Sequence, residues 1–306
     1  MITAAMRDLP VGVPKVMVST MASGNTAPYV DVKDITMMYS VVDIAGLNPI
    51  SRRVLLNAAG AVCGMLEGRS AARPDDAKEG ARPAIAATMF GVTTPCVTMA
   101  RRKLEEAGYD VVVFHATGTG GRAMEGLIAD GYFAGVLDVT TTEWCDEVVG
   151  GVLSAGPDRL GAAARKGVPQ VVSVGALDMV NFGGMASVPA QFGDRNLYRH
   201  NETVTLMRTT PAECREIGAR IGDKLASAVG PVVLMIPTKG VSMLDDEGKP
   251  FHDTEADSAL FQALREHATK GPNVRVIEMP VHINDATFAE AMAEQLLDML
   301  KAQQIH

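Results

Sequence analysis

Residues 111–125 read VVVFHATGTGGRAME, which is an apolar run, then a glycine-rich turn, then the start of a segment with helical periodicity. The first N–H groups of a helix lack internal acceptors and lie at the positive end of its dipole, so such a turn favours an anion. The glycine spacing G-x-G-G matches neither a Walker A motif nor the G-x-G-x-x-G fingerprint. The sequence leaves two interpretations open. In the first the glycines merely allow a tight turn, and in the second the turn binds phosphate. The second would comprise Thr117, Gly118, Thr119, Gly120, Gly121 and Arg122.

Strand-like and helix-like segments alternate along the rest of the chain. The predicted strands are residues 13–19, 84–90, 111–115, 136–139, 170–174, 232–237 and 274–279. The predicted helices are residues 51–66, 95–107, 122–130, 211–228, 254–270 and 285–303, with Ser51, Thr94, Thr210 and Asn284 as N-caps. The strand segments are continuously apolar, which indicates burial on both faces. The pattern therefore predicts an α/β fold of parallel sheets covered by helices on both sides.

Domain organisation follows from a polar segment at residues 67–83 that glycine and proline interrupt. We predict a first domain at residues 1–72, a linker at 73–83 and a second domain at 84–306. The first domain holds too few strands to close an independent sheet. The sequence thus predicts two lobes, of which the first is incomplete.

Composition excludes several classes of protein. The 306 residues carry a net charge of −8 without a basic cluster, which argues against a nucleic-acid surface. The four cysteines lie far apart, so they indicate neither a zinc site nor a disulfide framework. The sequence has no apolar stretch near the roughly 20 residues that a membrane helix needs, and no signal peptide at its start. We expect a soluble, cytoplasmic protein.

Polar residues follow the predicted strands, where ligands bind in open α/β sheets. They include His115, Glu143, Asp178, Asn181, Lys239 and Ser242, which we expect to meet in one cleft. His115 is either a general acid/base or a histidine bonded to a loop carbonyl. Glu143 and Asp178 either hold Mg²⁺ or cap helices and pin loops. Lys239 neutralises phosphate, acts as a nucleophile if it is desolvated, or is a solvated loop lysine.

The stretch 193–201 belongs to a segment from 180 to 210 with little periodicity, which we interpret as a long loop. It carries Arg195 and, beyond it, Arg208. Long ordered loops in compact domains are frequently functional, and an arginine can clamp phosphate or carboxylate bidentately. We therefore predict that Arg195 contacts a ligand or an interface, with the alternative that it pins the loop to its own domain or to a dimer mate.

Longer motifs give a specific resemblance. They are AMRDLPVGVPKVMVST at 5–20, MMYSVVDIAGLN at 37–48, FHATGTGGRAME at 114–125, DVTTTE at 138–143, GALDMVNFG at 175–183, YRHN at 198–201 and PTKGVS at 237–242. These motifs resemble the Tm-1-like ATP-binding domain family, uncharacterised bacterial proteins that share a region with a tomato mosaic virus resistance protein. The resemblance implies two Rossmann-like subdomains in series and ATP as ligand. It also implies a further N-terminal segment on the order of a hundred residues, the size of a small domain, which this chain is expected to lack.

Three functional hypotheses follow. The first is a nucleotide-binding protein that binds ATP, with Mg²⁺ as companion ion, and acts as a homodimeric interaction module. The second is a hydrolase or lyase acting on a small phosphorylated or carboxylated metabolite, with His115 as acid/base and Glu143 or Asp178 assisting. The third is a remnant that needs a separate partner chain to supply the N-terminal half.

Overall fold

The computed structural model describes residues 2–71 and 82–304, which fall into two units, Met1–Ala81 and Arg82–His306. Most of the predicted linker, residues 73–81, lies outside the described residues. Among residues 2–71 and 82–304, no helix is both long and apolar enough to cross a membrane.

The first unit contains two short parallel strands and one long helix. Its elements are α1 (Ile2–Arg7), β1 (Val16–Ser19), α2 (Ala27–Val30), β2 (Thr36–Tyr39) and α3 (Pro49–Ala71). Val16 pairs with Thr36 at the start of the β1–β2 ladder. The predicted N-cap Ser51 is wrong, because α3 begins earlier and the side chain of Asn48 accepts the N–H groups of Ile50 and Ser51.

The second unit is built on a six-stranded parallel sheet, which confirms the predicted α/β class. Its strands are β3 (Ala84–Met89), β4 (Asp110–His115), β5 (Gly135–Thr140), β6 (Gln170–Gly175), β10 (Val232–Pro237) and β11 (Val274–Met279), in the order β11-β10-β6-β5-β3-β4. The chain leaves β3 for β4 on one side and then crosses to β5 on the other. Such a change of direction opens a crevice at the carboxyl ends of the strands.

Helices cover both faces of this sheet. They are α4 (Thr94–Glu106), α5 (Thr119–Ala129), α6 (Glu143–Val149), α7 (Gly161–Lys166), α8 (Pro211–Ala226), α9 (Thr254–Ala268) and α10 (Ala286–Gln304). On one face α4 and α10 pack through Cys96 and Phe288 against Ile85 and Leu137. The short helices α6 and α7 were not predicted.

The N-cap predictions in this unit had mixed outcomes. Thr210 is confirmed, because its hydroxyl accepts the N–H of Glu213 and the Glu213 carboxylate accepts the N–H of Thr210. Thr94 is the first residue of α4 instead of its cap. Asn284 bonds to Val92 O and Cys96 N, so its amide joins two segments instead of capping α10.

The predicted long loop at residues 180–210 is wrong in part, since it contains most of a small antiparallel sheet. Its strands are β7 (Met179–Phe182), β8 (Leu197–Arg199) and β9 (Thr205–Arg208), in the order β7-β9-β8. Strands of three or four residues are too short to show an alternating pattern in the sequence. This sheet forms one wall of the pocket described next.

Candidate functional site

A pocket of about 460 Å³ lies at the carboxyl ends of β3 and β4, and we call it the sheet-edge pocket. Residues after β3 and β4 form one side, and the β7-β9-β8 sheet with the loop at Val152 forms the other. Its walls are largely apolar and include the rings of Phe90 and Phe182. The polar groups among its lining residues include His115, Asn181, His200 and Asn201. A mostly apolar cleft with few polar groups is typical of a small-molecule site.

His115 reaches this pocket from the end of β4. Its ring centroid lies 5.5 Å from that of Phe90, at an interplanar angle of 37°. Thr117, two residues further on, also lines the pocket. The predicted placement of His115 at the mouth of a ligand site is therefore compatible with the geometry, whereas its acid/base role stays a prediction.

Asn181 of β7 contributes the most informative polar group. Its Nδ2 donates to Asp146 Oδ2 at 2.7 Å, and its backbone N–H donates to Asp146 Oδ1 at 3.0 Å. These bonds fix the amide so that Oδ1 is left over, and that oxygen is buried without a hydrogen-bond donor among the described residues. Burial raises the pKa of Asp146 to about 7, although the Asn181 bonds oppose that shift.

The glycine-rich turn binds an anion that belongs to the chain itself. Glu143 Oε1 accepts the N–H groups of Gly118 at 2.6 Å and Gly121 at 3.1 Å. A side chain at Gly121 would collide with this carboxylate, and one at Gly120 would collide with the carbonyl of His115. Gly118 also has a φ of +77°, which favours glycine. The turn thus requires its glycines for close packing, and ligand phosphate would enter there only if Glu143 moved.

Glu143 belongs to a buried network that we call the Arg159 cluster, comprising Arg159, Glu125, Asp138 and Glu143. Arg159 Nη1 and Nη2 contact the two oxygens of Asp138 at 2.5 and 2.7 Å, and its Nε donates to Glu143 Oε2 at 2.6 Å. Glu125 Oε1 lies 3.4 Å from Arg159 and also accepts the backbone N–H of Leu160. Burial alone would lower the pKa of Arg159, but Asp138 and Glu143 hold it well above its ordinary value.

Asp178 and Ser242 belong to a second buried network, the Arg208 cluster, comprising Arg208, Asp178, Asp245, Asp257 and Ser242. Arg208 Nη2 donates to Asp257 Oδ1 at 2.6 Å and lies 3.7 Å from Asp245 Oδ1. Ser242 donates to Asp178 Oδ2 at 2.7 Å. Burial first, and the neighbouring Asp245 second, raise the pKa of Asp178 to about 7 and that of Asp257 to about 8.

The other predicted site residues lie outside the pocket. Arg195 forms a bidentate pair with Glu213 at 2.9 and 2.7 Å and also donates to Arg208 O, so it braces the start of α8. Lys239, Thr119 and Arg122 are exposed. In the part of the chain that the structure describes, no group of three or more His, Cys, Asp or Glu side chains is arranged to hold a metal ion.

The predicted site residues therefore lie in several places instead of one cleft. His115, Thr117 and Asn181 line the sheet-edge pocket, whereas Glu143 lies in the Arg159 cluster and Asp178 in the Arg208 cluster. Sequence reasoning did not single out Arg159 or Asp146. Neither residue lies in a recognisable motif, and their partners are separated from them by up to 35 residues.

Comparison with known proteins gives matches along most of the chain. Residues 1–71 match the N-terminal domain of the Uncharacterised protein family (UPF0261), and residues 82–300 match its C-terminal domain. A UPF0261 protein of Clostridium tetani is 59% identical over 97% of this chain and 72% of its own length. One of Mesorhizobium japonicum is 56% identical over 95% and 72%. The ToMV resistance protein Tm-1(GCR237) of Solanum lycopersicum is 46% identical over 98% of this chain and 40% of its own length.

Proposed function

This chain belongs to the uncharacterised protein family UPF0261, and we propose that its second unit binds an adenine nucleotide of the ATP class. The observation that carries the proposal is the sheet-edge pocket, which is lined in part by Asn181, a residue whose Oδ1 is buried and unpaired among the described residues. The heterocyclic base occupies this pocket in the proposal, and its exocyclic amine donates to Asn181 Oδ1 after the side chains that bury this oxygen move aside.

The shape and chemistry of the pocket support a planar base. Its volume of about 460 Å³ lies within the range of roughly 300–1,000 Å³ that is usual for small-molecule sites. Phe90 and Phe182 offer apolar ring surfaces against which a base can pack. An unpaired buried acceptor costs about 1–3 kcal/mol, so a ligand N–H that reaches Asn181 recovers that free energy.

The phosphates lie at the mouth of the pocket in this proposal, near His115 and His200. The glycine-rich turn is not assigned to them, because Glu143 accepts its N–H groups at Gly118 and Gly121. In this arrangement the protein recognises the nucleotide through its base, and not through a phosphate-binding turn. Mg²⁺ enters the proposal only as a companion of the phosphates in solution.

The test is isothermal titration of the purified chain with ATP, with Mg-ATP, with adenosine and with purine riboside. We expect ATP and adenosine to bind, and purine riboside, which lacks the exocyclic amine, to bind about tenfold more weakly, or about 1.4 kcal/mol. Absence of binding by both ATP and adenosine would contradict the proposal.

Two matched variants locate the site. Val152 lines the pocket and is 65% exposed, whereas Val229 is 68% exposed and lies elsewhere. Val152→Trp should fill the pocket and abolish adenosine binding, and Val229→Trp should leave it unchanged. Equal binding by both variants would place the nucleotide at another site.

A hydrolase or lyase acting on a small phosphorylated or carboxylated metabolite remains the second candidate, because His115 lines the same pocket. We expect bound ATP to be recovered intact after incubation if the protein only binds nucleotide. Turnover of ATP or of a panel of phosphorylated and carboxylated metabolites, lost in His115→Ala, would favour the enzyme instead.

A further inference from the structure

Asp146 of α6 joins two segments that line the sheet-edge pocket. Its Oδ1 accepts the backbone N–H of Asn181 in β7 at 3.0 Å and that of Leu153 at 3.4 Å, and its Oδ2 accepts Asn181 Nδ2 at 2.7 Å. Asn181 and Leu153 both line the pocket, whereas Asp146 itself is 1% exposed. The carboxylate is therefore buried behind the pocket wall, and it sets the orientation of the Asn181 amide.

That orientation leaves the oxygen of the Asn181 amide unsatisfied. Nδ2 faces Asp146, and Oδ1 is buried without a donor among the residues whose positions are described. Buried acceptors are nearly always paired, and an unpaired one is unfavourable. Turning the amide over would offer Oδ1 to Asp146. An ionised carboxylate only accepts hydrogen bonds, so the turned-over amide requires a proton on Asp146.

The surroundings of Asp146 favour uptake of that proton. Burial raises the pKa of Asp146 to about 7, although the bonds from Asn181 and Leu153 oppose this shift. Glu143, one turn earlier on α6, raises the pKa further through its negative charge. Arg159 offsets Glu143, with which it pairs at 2.6 Å. Asp146 can therefore exchange a proton with solvent near neutral pH.

The segments that donate to Asp146 bring no further charge. They are β7 and the loop at residues 150–154, whose sequences MVNF and GGVLS contain no charged side chain. The charged groups near α6 include Glu143 and Glu147 on α6 itself, Arg159 beside Glu143, Asp178 and Arg208 acting on Cys145, and Arg220, Asp223 and Lys224 of α8 beside Trp144.

We propose that Asp146 and Asn181 form a proton-operated switch in the wall of the sheet-edge pocket. When Asp146 is ionised, Asn181 Nδ2 faces it and Oδ1 faces away, as in the structure. When Oδ2 of Asp146 takes up a proton from solvent, its O–H donates to Asn181 Oδ1, and the amide turns over so that Nδ2 takes the former place of Oδ1. Asp146 Oδ1 keeps both of its backbone N–H donors in either state.

The experiment follows the side-chain amide of Asn181 by NMR in the full chain labelled with ¹⁵N-asparagine. The titration runs from pH 8.5 to pH 5.5 without nucleotide. The amide proton that is bonded to the carboxylate should resonate downfield at pH 8.5 and lose that shift with a midpoint near pH 7. An Asn181 amide signal that stays constant over this range would overturn the proposal.

Two variants identify the titrating group. Asp146→Asn should hold the turned-over amide at every pH, because its own Nδ2 donates where the protonated carboxyl would. Asp178→Asn is the matched control, since the pKa of Asp178 is also raised to about 7 while its hydrogen bond goes to Ser242. It should leave the Asn181 transition in place, and a thermal melt verifies the fold of both variants. A transition that persists in Asp146→Asn or vanishes in Asp178→Asn would overturn the switch.

The consequence for ligand binding rests on the proposed nucleotide site. The turned-over amide offers a donor in place of an acceptor, so the ratio of adenosine affinity to inosine affinity should fall about tenfold between pH 8.5 and pH 5.5. Inosine carries a carbonyl where adenosine carries the amine. If both nucleosides bind and this ratio is constant, the switch does not act on the pocket. If neither binds, the nucleotide proposal fails, and the NMR titration still decides the switch.

Discussion

The Arg159 cluster and the Arg208 cluster satisfy their buried carboxylates differently. Each buries one arginine among three carboxylates of the second unit. Around Arg159, every carboxylate oxygen accepts a hydrogen bond from the arginine, a threonine hydroxyl or a backbone N–H. Around Arg208, Asp178 Oδ1 and Asp245 Oδ1 are buried without a donor in the described chain.

The two clusters differ in the donors that reach their carboxylates. Glu143 and Glu125 each accept two backbone N–H groups, from turns whose conformation presents them. Asp178 accepts one hydroxyl, and its pKa is raised to about 7, first by burial and then by Asp245. We expect the Arg208 cluster to bind protons near neutral pH. The Arg159 cluster is an ionic brace, because its ion pairs join β5, α5 and α6.

The largest effect is expected from Arg159→Met. It removes the only cation that contacts Asp138 in the described structure and leaves buried carboxylates without compensation. We expect a loss of about 3–5 kcal/mol in the free energy of unfolding. Urea unfolding followed by circular dichroism measures it. Arg102→Met, at an exposed i,i+4 pair with Glu106, is the control and should leave the free energy of unfolding almost unchanged. A similar loss in both variants would show that the cluster is not a brace.

Arg208→Met should cost less, and its cost should depend on pH. Near pH 6 Asp178 and Asp257 hold protons, since their pKa values are raised to about 7 and about 8, so fewer buried charges lose their partner. Near pH 8.5 those carboxyls ionise, and the loss should grow by about 1–2 kcal/mol. Urea unfolding of Arg208→Met and of Arg159→Met at both pH values makes the comparison. A pH dependence as steep for Arg159→Met would contradict the distinction between the clusters.

Asp178→Asn tests the unpaired oxygen directly. The folded pKa of Asp178 lies above its unfolded value of 3.8, so its contribution to stability is greatest below pH 3.8 and is lost as pH rises to about 7. Asparagine removes that titration, and we expect the variant to gain about 1–3 kcal/mol over the parent between pH 5 and pH 8. Asp138→Asn, its counterpart at Arg159, should destabilise throughout this range. Chemical denaturation at four pH values follows both, and a flat difference for Asp178→Asn would sink the idea.

Local signals and long-range contacts also differ in how well the sequence predicts them. The observed bounds of β10 agree with the predicted ones because a continuous apolar run determines them. The bounds of β11 also agree, although Arg275 and Glu278 interrupt its apolar residues. Thr210 is a cap because Thr-Pro-Ala-Glu is a local signal. The parallel sheet also brings Glu143 to the turn at Gly118, since both follow strands of that sheet.

The positions of residues at strand ends could not predict the roles of Glu143 and Asn181. Whether Glu143 faces a ligand or the N–H groups of its own chain depends on the direction of the side chain, which no spacing encodes. Asn181 is informative because its Oδ1 has no donor among the described residues. That situation arises because the Nδ2 of the same amide donates to Asp146. The strands β7 to β9 were missed because strands of three or four residues are too short for an alternating pattern to be recognised.

The smallest expected effect comes from the hydroxyls that serve the two clusters. Thr88 Oγ1 donates to Asp138 Oδ1 and accepts the N–H of Thr140, so Thr88→Val leaves a buried N–H unpaired and should cost about 1–3 kcal/mol. Ser242 donates to Asp178, which can instead retain a proton, and it accepts the part-buried N–H of Leu244, so Ser242→Ala should cost about 1 kcal/mol at pH 6 and more at pH 8. Thermal unfolding at the two pH values separates them. If Ser242→Ala shows no pH dependence while Thr88→Val does, the proton-binding cluster has been assigned to the wrong arginine.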